Sequence, residues 1–166
     1  MTQFDNIYRH TRKRLIAGSF AICLLLDFMP LPLPFAYWLP EFTALMLIFW
    51  LLHRPQNIGI SMAFVIGLLL DIGSGAPLGL HALAFILAAY LVHRQQRQIL
   101  LYAFGMQSLA VFGVLMLIQL TVMAVYFLNE HQFGSWGLLI SPFIGAFLWP
   151  LLNNLMLTLT SIRRRS

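Results

Sequence analysis

One cysteine occurs in the whole chain. Cys23 lies inside an apolar run, so an intrachain disulfide and any metal site built on thiolates are excluded. Charge is nearly as scarce. Only 9% of the residues are Asp, Glu, Lys or Arg, against about a quarter in a soluble domain. Hydrophobic residues make up 60%, and the mean hydropathy is +0.83. Too little polar surface remains to cover a globule of 166 residues in water, which points to an integral membrane protein. The motifs that carry chemistry are missing as well: there is no Walker loop, HExxH, GxSxG or cysteine pair. His10, His53, His93 and His131 sit in tails and connections, and the carboxylates are scattered. No catalysis, cofactor or metal is expected.

What charge there is lies unevenly. The net charge is +5 and the pI about 10, a balance that in a soluble protein suggests nucleic acid. Here it follows the membrane instead, and no nucleic acid partner is expected. Six apolar segments read as spans: 15–29, 42–52, 58–72, 77–92, 99–128 and 138–162. All ten Lys and Arg fall in the N-terminal tail, at Arg54, at Arg94 and Arg97, or at Arg163, Arg164 and Arg165. The first, third and fifth connections have none. Cytoplasmic segments carry the Lys/Arg excess, so the reading is a single six-span domain over residues 1–166, with basic cytoplasmic tails at 1–14 and 163–166. The first run lacks a small-x-small cleavage site and enters Pro30-Leu-Pro32-Leu-Pro34, so it reads as an uncleaved span.

The spans are unequal. Crossing an ordinary hydrocarbon core takes ~20 residues, and the second run is much shorter. Placing Tyr37 to Pro40 in its first turn would lengthen it, since Pro is tolerated there; a re-entrant hairpin of spans two and three is the alternative. The fifth segment is long enough to tilt or project. An irregular, dented helical bundle is expected.

Span three carries a stripe. Gly59, Ala63, Gly67, Asp71 and Gly75 recur every four residues and so share one helix face. Small-xxx-small tracks let membrane helices approach closely, whereas Phe64 and 68–70 are expected to point elsewhere. Asp71 lies ~20 Å along the helix from its inner end, near the outer boundary. Asp hydrogen-bonds free amides at turns, so its first reading is structural, ordering the hairpin to span four. A partner contact comes second and ion or proton transport third. His81 is placed to meet it.

Other polar residues have bland readings. Asp27 in LLLDF echoes Asp71 in LLLDI, an echo too short to support an internal repeat. With Glu41 and Glu130 it leaves the outer face acidic. Gln107, Gln119, Asn153 and Asn154 read as interhelical glue. Pro150, after Trp149, should kink the last span beside Gly145 and Ala146.

The segments LPEFTALMLIFW at 39–50, RPQNIG at 54–59, FVIGLLLDIGSGAPLG at 64–79, Ala82-Leu83 through Tyr90-Leu-Val92, and LWP at 148–150 together resemble the MreD family of bacterial rod-shape-determining membrane proteins. The specific part is the ordered pattern G-x-x-x-D-x-x-S/G-G-x-x-L-G. The resemblance implies an inner-membrane component of lateral cell-wall synthesis without enzymatic activity. Implied partners are MreC, the actin-like MreB, and the glycosyltransferase and transpeptidase of the elongation complex, with membrane lipid around them. The implied fold is that of the substrate-binding subunits of energy-coupling-factor transporters. Pro40, Gly67, Asp71, Gly75, Leu78 and Gly79 match the family pattern and read as architectural residues of a helix-packing or partner interface. Two functions are therefore expected in competition: a wall-synthesis scaffold, or a small-solute- or lipid-binding transport subunit. Short outer loops and few core polar residues favour the scaffold.

Overall fold

A computed structural model describes residues 3–30, 32, 38–130 and 136–162. Tyr37, His131 and the terminal arginines at 163–165 lie outside the described residues. Among the described residues all regular structure is helical: α1 (Gln3–Asp27), α2 (Phe42–His53), α3 (Ile60–Ser74), α4 (Leu80–Leu101), α5 (Phe104–Glu130), a 3-10 turn at Trp136–Leu139, and α6 (Ser141–Ile162).

The short α2 is the hub. Its 12 residues rise only ~18 Å, yet every residue from Thr43 to Leu52 is buried. It packs against α1 and α4, and more lightly against α5 and α6. A helix apolar on all sides is one surrounded by others, so α2 needs no length to meet lipid. Pro40 does not extend it. The helix begins after Glu41, and Pro40 is a buried residue of the linker, close to Gly145 on α6.

Around this hub the chain forms successive packed pairs, α3 on α4, α4 on α5, and α5 on α6. Two stretches, Gly105–Leu128 and Gly137–Thr160, are long and apolar enough to cross a membrane. The other helices are short or carry charged ends, so the six expected spans become six helices of very unequal character. α4 also continues straight through 93–98, expected to be a connection. The apolar pattern ends there, but Arg and Gln are good helix formers, so the helix outlasts its hydrophobic face. α1 likewise runs back into the basic tail.

The outer surfaces are strongly apolar. Leu25 is 71% exposed, Leu151 70% and Phe147 86%. Exposed apolar surface on this scale suits a bilayer and not water. Together with the composition, it makes this a membrane protein.

Polar ties join the helices where they meet. The Trp50 indole N–H donates to Ser19 Oγ at 2.9 Å, and Gln96 Nε2 donates to the Leu52 carbonyl at 2.7 Å. Gln107 links three helices through longer contacts, accepting from Trp149 Nε1 at 3.4 Å and donating to the Ile99 carbonyl at 3.5 Å. Gln119 and Asn153 are buried, but their side-chain oxygens have no hydrogen-bond partner, and Asn154 is exposed. Pro150 sits inside α6, next to the buried Trp149.

Candidate functional site at the acidic end of the bundle

The chain turns from α3 into α4 through two glycines with left-handed backbone. Gly75 ends α3 at φ 69°, and Gly79 opens α4 at φ 97°. L-residues with a Cβ seldom adopt such φ values. The turn returns the start of α4 to Asp71, in the last turn of α3.

Asp71 is fully buried. Its Oδ2 accepts the Gly79 amide at 2.9 Å, and its Oδ1 accepts the His81 amide at 2.9 Å. A longer contact at 3.5 Å reaches the Ala82 amide. These donors are the orphan N–H groups at the N-terminus of α4, where a carboxylate is favoured by both hydrogen bonding and the helix dipole. His81 Nδ1 adds a fourth partner, at 2.7 Å from Oδ1. Nδ1 is the donor of this contact in the tautomer that carries its proton there. The other ring nitrogen, Nε2, faces Glu41 Oε1 at 3.5 Å.

One turn back along α3, Gly67 faces the backbone of His81 and Ala82, and a Cβ there would collide with the Ala82 backbone. Ala63, a further turn back, is buried. The stripe is thus shorter than its spacing suggests. Ala63, Gly67 and Asp71 lie on the buried face, whereas Gly59 and Gly75 are exposed helix-end residues with nothing within 4 Å of a Cβ. Leu78 is 74% exposed, and of the residues expected to point away from the stripe Leu70 is buried against other neighbours.

A second carboxylate does a parallel job. Asp27, the last residue of α1, accepts the Phe42 amide at 2.9 Å through Oδ1 and the Thr43 amide at 2.8 Å through Oδ2. It caps α2 as Asp71 caps α4. The LLLD echo is the sequence signal for this, too short to establish it alone. Glu41, expected as part of an acidic outer face, lies beside His81 and joins the two capped hairpin ends.

Asp27, Glu41, Ser74 and His81 border a cleft of about 170 Å³. Ser74 is not poised as a nucleophile there, because its hydroxyl donates to the Leu70 carbonyl at 2.7 Å. Among the described residues no group of three or more His, Cys, Asp or Glu side chains is placed to hold a metal ion. Chemically, the cluster can hold backbone, position an imidazole and present a partly unpaired carboxylate.

Comparison with known proteins places the chain in a family. The family described as rod shape-determining protein MreD matches residues 8–159. The Rod shape-determining protein MreD of Haemophilus influenzae is 29% identical over 150 residues, covering 90% of this chain and 91% of that protein. No solved structure matches the chain.

Proposed function

The chain belongs to the MreD family of rod shape-determining proteins, and on that premise we propose that it is a non-catalytic scaffold of lateral cell-wall synthesis. It sits in the inner membrane with both termini in the cytoplasm and the acidic end outward, as the Lys/Arg distribution favours. All six helices are embedded, the short ones sheltered by the long, in an arrangement like that of the substrate-binding subunits of energy-coupling-factor transporters. Its apolar flanks pack against the membrane helices of MreC and, through the complex, serve MreB, the glycosyltransferase and the transpeptidase.

The observation that carries the scaffold reading is the engagement of Asp71. Among the described residues, the one fully buried carboxylate is held by amides of the following helix and by an imidazole. The family-pattern residues Gly67, Asp71, Gly75 and Gly79 build that joint, and none of them is left as a reactive group.

Depletion in a rod-shaped host, followed by microscopy of cell width, tests the proposal. Depleted cells should round up and recover rods with the wild-type chain, whereas Gly67→Leu should restore few or none. Normal rods after verified depletion, with no second copy, would overturn the scaffold and favour a solute-uptake subunit.

A further inference from the structure

At the acidic end, one imidazole stands between the two hairpins. His81, in the first turn of α4, has Nδ1 at 2.7 Å from Asp71 Oδ1 and Nε2 at 3.5 Å from Glu41 Oε1. Asp71 belongs to the same hairpin as His81, whereas Glu41 belongs to the linker between α1 and α2. We propose that His81 is a proton-operated latch, which ties the α1–α2 hairpin to the α3–α4 hairpin and opens when the bridge loses one proton.

The proposal follows from counting protons. A neutral imidazole carries one N–H, and an ionised carboxylate carries none. One proton therefore serves only one of the two contacts, and the other sets a nitrogen lone pair against a carboxylate oxygen. Two protons satisfy both contacts, whether the second rests on the imidazole or on a carboxylate. The closed bridge thus holds one proton more than a neutral imidazole between two carboxylates. When that proton leaves, the longer contact to Glu41 is the one released. The shorter contact stays, because the Gly79 and His81 amides fix the Asp71 carboxylate in place.

The surroundings supply no substitute for the imidazole. Asp27, at the end of α1, borders the same cleft as Glu41 and His81. α5, also packed on α4, carries Tyr126 and Glu130 towards this end. α2 has no ionisable side chain before His53, at its far end. The first, third and fifth connections contain no Lys or Arg. At the far end of α2 the tie to α4 is a neutral one, from Gln96 Nε2 to the Leu52 carbonyl at 2.7 Å. Opening the latch therefore frees the outer end of the hairpin, around Leu39 and Pro40, while the inner end stays docked. In the outward orientation proposed above, the proton is exchanged with the outer compartment.

Thermal unfolding of the purified full chain in mild detergent, followed across pH, tests the latch. The folded bridge keeps a proton that a free imidazole gives up above about pH 6.5, so stability is lost as the pH rises beyond that value. From about pH 7 to about pH 9 the wild-type midpoint should fall by about 5 °C. Glu41→Gln offers Nε2 an N–H without the extra proton, so its fall over that interval should be less than half as large. His81→Gln has nothing to titrate there and should be nearly flat, from a lower starting midpoint. Opening itself is read by maleimide labelling of Leu39→Cys relative to the exposed Leu78→Cys, both in a Cys23→Ala background. Taking the ratio cancels the common rise in thiolate with pH. That ratio should climb severalfold across the same interval, and stay level once Glu41→Gln is added.

A wild-type midpoint that does not fall over this interval would overturn the proposal. So would a labelling ratio indifferent to pH, or an equal fall in Glu41→Gln, which assigns the proton to the Asp71 contact alone. If Glu41→Gln does not fold, His81→Gln decides, since a fall as steep as the wild type's removes the imidazole from the bridge. The scaffold reading is judged separately, by cell width. A chain that restores rods with a flat pH profile loses the latch and keeps the scaffold.

Discussion

Asp27 and Asp71 each follow three leucines at the end of a helix, and each caps the helix that comes next. Their surroundings differ. Asp71 is fully buried, reaches back across 8 residues to Gly79, and adds the His81 imidazole to its backbone donors. Asp27 is only partly buried, and it reaches across 15 residues to the backbone amides of Phe42 and Thr43. Chain closure distinguishes them little, since doubling a loop costs only ~0.6 kcal/mol. Desolvation distinguishes them strongly: the same carboxylate in a drier place gains more from each donor and loses more without them. The α3–α4 joint is therefore the rigid one, and the α1–α2 joint leans on neighbours. Phe28 lies against Gly73 of α3, and Glu41 faces His81.

Substitution should break this comparison unequally. Asp71→Ala is expected to cost the most, ~3–5 kcal/mol, because it strands several buried donors at once. Thermal unfolding in detergent should show a large drop in midpoint or no folded protein. Asp27→Ala should cost ~1–2 kcal/mol, the range of a lost helix cap, with the fold retained. If the two midpoints fell equally, burial would not be what separates the two caps.

Much of this arrangement was legible in the chain. Apolar runs located the cores of all six helices, and the turn residues after Asp71 announced a tight connection that its carboxylate orders. Helix ends were less legible. Membrane apolarity stops at the lipid boundary, but helical hydrogen bonding does not, so α4 runs past Arg94 and Arg97. A spacing of four marks a helix face but does not say which residues of that face touch anything; Gly59 and Gly75 share the face of Gly67 and serve as helix ends. Least legible were the links between hairpins. The pairing of Asp27 with the start of α2, and of Glu41 with His81, depends on how separate helices dock. No local pattern encodes that, beyond the brief LLLD echo.

The central claim is that Asp71 acts by holding backbone, and not through a partner or a transported ion. Asp71→Asn removes the charge and puts an N–H2 where acceptors are needed, while keeping the shape. Its folded amount and thermal midpoint should be measured beside its ability to restore rods in depleted cells. The account predicts that the two fall together, and that any residual rescue follows the residual folded protein. A variant folded to wild-type level and midpoint that nevertheless leaves the cells round would contradict it.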